Sequence, residues 1–167
     1  MPYRNKTYVA FDGDNDISYY LIMQAWRAND NVAFDFYDAH DLNSARDSSS
    51  EESIKSQLRI RMQNTKLFLL LVGNNTYRCT KFVKWEIESA IRRGLPIVVV
   101  NLNNKKQFDD DLCPSLLDDQ LAIHMPFKQK IIRYAIDNWP ESHSKHVEKE
   151  ESGRYHYVAS VYEGLGL

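Results

Sequence analysis

Two short apolar runs, Leu67 to Val72 (LFLLLV) and Ile97 to Leu102 (IVVVNL), flank a helix-forming stretch, KFVKWEIESAIRRG. This arrangement constrains the fold more than any other feature of the chain. Apolar runs of this length, without polar alternation, mark strands covered on both faces, which is the situation of a parallel sheet. Two parallel neighbours need a crossover of about a dozen residues or more, and the intervening helix supplies it. Gly94 and Pro96 follow Arg92 and Arg93, so the helix is expected to stop there.

Within that helix one residue stands out. At about 100° per residue, Phe82, Val83, Ile87 and Ala90 share one side, and Glu86 falls between Phe82 and Ala90. Glu88 lies on the opposite face with Lys84 and Arg92 four residues away on either side, a spacing suited to surface ion pairs. A carboxylate turned inward is costly unless it is paired or lines a wet cleft. Glu86 is therefore either an internal ion-pair member, a residue at a wetter wheel edge, or a functional group.

The rest of the chain repeats the strand–helix alternation. Tyr8 to Phe11 reads as a first strand running into Asp12-Gly13-Asp14-Asn15-Asp16, with Asp16 able to cap a helix from Ile17 to about Trp26. Val32 to Tyr37 alternates like an edge strand, and its end carries Asp38, His40 and Asp41. The polar stretch from Asn43 to Ser53 reads as a loop before a helix bearing Ile54, Leu58 and Met62. A long polar connection from Asn103 to Asp119 precedes a weak fifth strand, Leu121 to His124, and a helix from Phe127 to Trp139 expected to stop at Pro140. The fold expected is α/β, a doubly wound five-stranded parallel sheet of flavodoxin type in the order 2-1-3-4-5. Its domain spans residues 1–140, followed over 141–167 by a polar linker, Glu141 to Ser152, and an aromatic tail, Tyr155 to Leu167.

Composition narrows the function. The 167 residues carry a formal net charge of −2, which gives no basic footprint for nucleic acid. No apolar run approaches a membrane span and the N-terminus lacks a signal peptide's apolar core, so the cytoplasm is the expected compartment. Cys79 and Cys113 show no CxxC spacing, and Asp109-Asp110-Asp111 lacks the glycine and distant glutamate of a calcium loop, so no metal is expected. His143, His146 and His156 read as surface residues. There is no GxGxxG and no GxxxxGK[ST], and the aspartate-rich first loop would repel a flavin phosphate. A phosphoacceptor receiver would end its third strand in aspartate, where this chain has Gly73-Asn74. In a doubly wound sheet the cleft lies at the carboxyl ends of the first and third strands. The loops there are Phe11 to Asp16, Asp38 to Asn43 and Gly73 to Thr80, and they are expected to converge on Glu86.

The stretch VGNNTYRCTKFVKWEIESAIRRGLPIVVVNL, with YVAFDGDND and FDFYDAHD before it, resembles the TIR-like (Toll/interleukin-1 receptor-like) family in its prokaryotic, flavodoxin-like branch. Within that branch it is most similar to the TIR-domain subunits of the bacterial Thoeris anti-phage defence system, over about residues 7 to 139. The resemblance implies an enzyme of NAD glycohydrolase or cyclase type, triggered by infection, that uses NAD as substrate with no cofactor. Its product, a cyclic ADP-ribose isomer, would reach a separate effector as a diffusible nucleotide signal. It implies Glu86 as the catalytic residue and Phe11, Asp12, Asn15 and His40 as substrate contacts, with self-assembly or a phage-derived trigger as activating partner. Phe82 stands where catalytic relatives often have tryptophan, and Trp85 directly precedes Glu86. The competing reading is a non-catalytic TIR-like adaptor working by homotypic contacts through Asn43 to Ser53 and the aromatic tail.

Overall fold

A computed structural model describes residues 6–29, 36–38, 51–79 and 81–167. Six parallel strands form one sheet in the order β2-β1-β3-β4-β5-β6. They are β1 (Lys6–Ala10), β2 (Phe36–Asp38), β3 (Thr65–Val72), β4 (Ile97–Asn101), β5 (Ala122–Pro126) and β6 (Arg154–His156). The helices are α1 (Ile17–Asn29), α2 (Glu51–Gln63), α3 (Lys81–Arg92), α4 (Gln129–Glu148) and α5 (Ala159–Gly164). The expected 2-1-3-4-5 order stands, and one strand is added at the far edge. Of the second strand expected at Val32 to Tyr37, residues 32–35 lie outside the described residues, as do His40 and residues 43–50 of the expected loop. Glu51 to Ser53, expected in that loop, are the first turn of α2.

Alternation along the strands builds two cores. Leu67, Leu69 and Leu71 of β3 meet Tyr20 and Met23 of α1 and Ile132, Ile136 and Trp139 of α4 on one face. Phe68, Leu70 and Val72 meet Ile54 and Leu58 of α2 and Phe82, Ile87 and Ala90 of α3 on the other. β3 is apolar from Leu67 onward because it serves both layers there, and its residues from Leu67 to Leu71 are fully buried. α3 ends as expected: Gly94 takes φ 64°, and the Leu95 N–H donates to the Ala90 carbonyl at 3.1 Å, closing the last turn.

The largest departure from the sequence reading is at the C-terminus. Pro140 does not stop α4, which runs on to Glu148, so residues 141–148 are helix and not linker. Proline costs the helix one backbone hydrogen bond. The stripe Ile132, Ala135, Ile136, Trp139 continues to His143, which is buried, and local bonds support the extension. The Ser144 hydroxyl donates to the Pro140 carbonyl at 3.1 Å, and Lys145 pairs with Glu141 at 3.1 Å. The tail then returns as β6, which pairs with β5 in the register Ile123↔Tyr155 and His124↔His156, and as α5, whose Tyr162 is buried. His143 and His146, expected at the surface, pack against Trp139, and the His146 ring lies 4.3 Å from Tyr155. The tail is part of the domain.

Candidate functional site

The switch point between β1 and β3 is built by contact between two loops. After β1 the chain turns through Asp12, whose carbonyl accepts from the Asn15 N–H at 3.2 Å and the Asp16 N–H at 2.8 Å. The Asp12 carboxylate is drawn into the same turn: Oδ1 accepts from the Asp14 N–H at 3.1 Å and Oδ2 from Asn15 Nδ2 at 2.7 Å. This is an Asx turn, the local use of a short carboxylate that competes with any ligand for the same oxygens. Asp12 is 4% exposed, while Asp14 and Asn15 are open to solvent.

Asp16 was expected to cap α1 with its side chain. Its carbonyl accepts from the Tyr19 N–H at 3.1 Å, but its carboxyl turns away toward the end of β3. A β-carbon at Gly73 would lie 2.4 Å from Asp16 Oδ2 and 2.5 Å from Oδ1, so only glycine leaves the carboxyl its place. Asp16 is 6% exposed and its Oδ2 is buried with no hydrogen-bond partner among the described residues. Burial, and then the charge of Asp12, raise the Asp16 carboxyl to about 6. On the other side of Gly73, its N–H donates to Thr76 Oγ1 at 2.9 Å, which anchors the 3-10 turn Thr76–Arg78 leading to α3. The sequence reading missed Asp16 and Gly73 as a pair; a glycine directly after the central strand was the signal that another group approaches closely there.

Glu86 is 1% exposed on the inner face of α3, with Phe82, Val83, Ile87 and Ala90 around it. It faces Tyr8 of β1. Burial first, then the charge of Glu86 and hydrogen bonding to it, raise the Tyr8 phenol well above its ordinary range, and the charge of Arg61 opposes the rise. Among the described residues Tyr8 Oη makes no hydrogen bond of standard geometry, so the Glu86 charge outweighs hydrogen bonding in the coupling. Glu88 is half-buried and forms none of the ion pairs expected with Lys84 and Arg92; Arg92 instead donates to Ser89 Oγ at 3.2 Å. Trp85 is half-buried at the edge of the same core, with the Arg59 guanidinium 5.9 Å from its ring centre.

The predicted contacts therefore separate. Asp12 and Asn15 stand together in the first loop. Phe11 is 3% exposed, stacks on Tyr20 at 4.8 Å, and belongs to the α1 layer, whereas Glu86 lies in the α3 layer. His40 lies outside the described residues. Among the described residues no group of three or more His, Cys, Asp or Glu is disposed to hold a metal, and no helix is long and apolar enough to cross a membrane. A groove of about 970 Å³ opens at the opposite pole, lined by Lys66, Arg93, Pro96, His143 and Val147, among others. It sits where β3 and β4 begin, away from the carboxyl ends at which doubly wound sheets bind ligands.

With this geometry in place, comparison with known families adds one finding. Residues 8–107 match the family model described as Thoeris protein ThsB, TIR-like domain. The match takes in β1 from Tyr8, the first loop, β3, the Gly73–Thr76 turn, α3 and β4.

Proposed function

Because the chain belongs to the Thoeris ThsB TIR-like domain family, we propose that it is an infection-responsive enzyme. It cleaves NAD and makes a cyclic ADP-ribose isomer that activates a separate effector in anti-phage defence. The observation that carries this reading is the buried Glu86 carboxylate inside the WEI segment of the matched region. Cleavage breaks the bond between the nicotinamide nitrogen and the ribose C1′, and the electron pair leaves with nicotinamide. The ribosyl carbon passes through an oxocarbenium-like state, which a carboxylate in a partly dry site stabilises without a metal. Cyclisation follows when a hydroxyl of the same nucleotide attacks C1′ and gives up its proton, a route favoured where the pocket folds the substrate and excludes water. Asp12 and Asn15 are the proposed contacts for ribose hydroxyls.

One observation favours the adaptor reading: at 1% exposure, Glu86 is closed to substrate in this conformation. The enzyme reading accommodates it as a resting state that activation opens. The two separate in infected cells. Glu86→Gln abolishes the ADP-ribose-mass species seen by mass spectrometry, while Glu88→Gln retains it. Equal loss in both variants, or intact defence with identical small-molecule profiles in wild type and Glu86→Gln, removes the enzyme assignment.

A further inference from the structure

In the first loop Asp16 keeps more hydrogen-bonding capacity open than Asp12. Both Asp12 oxygens are engaged inside the turn, by the Asp14 N–H and by Asn15 Nδ2. Asp16 is 6% exposed, its Oδ2 has no partner among the described residues, and Gly73 leaves room for the carboxyl at the end of the central strand. A buried polar oxygen without a partner costs stability, and a ligand group that reaches it removes that cost. Resting on the proposed NAD chemistry, we propose that the Asp16 carboxyl is a further ligand-binding group of this cleft, receiving a ribose hydroxyl of the nucleotide.

A hydroxyl suits the position because it both donates and accepts, whereas a phosphate there would meet the charges of Asp12 and Asp14. Asp12 is the charged group whose field reaches Asp16, and Gly73 and Thr76 across from it bring no charge. With its carboxyl raised to about 6, Asp16 is neutral in mild acid, and ionised above that it adds to the charge opposing the pyrophosphate. Affinity for the dinucleotide therefore falls as pH rises through this range. Asparagine keeps the shape and both hydrogen-bonding roles but cannot ionise.

The test uses desalted lysates of infected cells carrying wild type, Asp16→Asn or Asp16→Ala. NAD is titrated in, and the ADP-ribose-mass product is followed from about pH 5 to about pH 8, on either side of the raised value. Asp16→Ala raises KM about tenfold with kcat within about twofold, the loss of one hydrogen bond to substrate. The wild-type KM climbs above about pH 6, whereas that of Asp16→Asn stays level. Melting curves of the purified variants accompany the kinetics. An unchanged KM in Asp16→Ala, whatever its melting temperature, assigns Asp16 a structural role and overturns the inference, as do superimposable pH profiles for wild type and Asp16→Asn. If wild type itself makes no product in defended cells, the NAD reading falls and takes this inference with it; wild-type product with indifferent Asp16 variants removes this inference alone.

Discussion

Two aspartate-rich loops look alike in the sequence and differ in electrostatics. The loop after β1 reads DGDND, and the connection after β4 carries Asp109-Asp110-Asp111. Each is closed by an Asx turn, around Asp12 in the first and Asp109 in the second. Asp109 is fully provided for: its Oδ1 accepts from the Asp111 and Leu112 N–H groups, both at 3.0 Å, and its Oδ2 from Asn103 Nδ2 at 2.8 Å, with Lys105 Nζ at 3.5 Å. Burial alone would raise its carboxyl, but the bonds from Asn103, Leu112 and Asp111 and the Lys105 charge bring it below its ordinary value. Asp16 has the burial without the partners, and its carboxyl moves the other way. Two similar runs of aspartate thus give one clasp that holds a loop and one group held in an unfavourable state, the condition expected of a site that stores local cost for binding.

The contrast breaks most visibly at the clasp. Asp109→Ala removes an acceptor of three hydrogen bonds and leaves two backbone N–H groups and Asn103 without their partner, so the loss of unfolding free energy is about 3 kcal/mol by denaturant titration. A change below about 0.5 kcal/mol would place Asp109 among ordinary surface residues. A smaller effect is expected where the first loop meets β3. Gly73→Ala forces the Asp16 carboxyl out of its position, at a cost of about 2 kcal/mol for overpacking in a buried spot. Asp16→Ser combined with Gly73→Ala recovers most of that loss, because the clash is with the carboxyl; an additive double variant argues that the strain lies in the backbone instead.

Much of this was legible from the sequence, and what was missed shares one cause. Apolar runs at Leu67 to Val72 and Ile97 to Leu102, with the helix between them, specified the central crossover because burial on both faces leaves a compositional trace. The wheel placed Glu86 inside for the same reason. Pro140, in contrast, is a local breaker overridden by the packing of Trp139 and His146 against Tyr155, a contact with the strand that begins only at Arg154. Sequence periodicity carries no record of that contact. Glu88, Lys84 and Arg92 had the right spacing for ion pairs, yet Arg92 bonds Ser89; exposed pairs are worth too little to fix long side chains. Phe11 was expected at the substrate only through the family resemblance, and the sequence held no sign of the Tyr20 ring that stacks on it in the α1 core. Asp16 was read as a cap because capping is the commonest use of aspartate before a helix, and the group that turns its carboxyl aside, Gly73, lies 57 positions on.

The finest test of the comparison is the pH dependence of stability, where the two loops oppose each other. For Asp109 the folded value is depressed, so its contribution is complete above the unfolded carboxylate value and is lost as pH falls through the folded one. For Asp16 the folded value is raised from 3.8 to about 6: between these the folded protein holds a proton that the unfolded chain has released, so stability falls as pH rises across the window and stays lower above it. Buried His124, lowered to about 4, adds a slope of Asp109's sign as the unfolded chain takes up protons below about 6.5. The wild-type curve sums these with the buried His143, which is lowered as well, so the informative quantity is the difference between Asp16→Asn and wild type, in which the other groups cancel. Asparagine cannot ionise, so the variant is the more stable above about pH 6, by about 1 kcal/mol once solvent screening at the loop edge is allowed for, and the advantage closes as pH falls toward about 4. A difference independent of pH would mean that Asp16 does not titrate in this window, and the electrostatic contrast between the two loops would be lost.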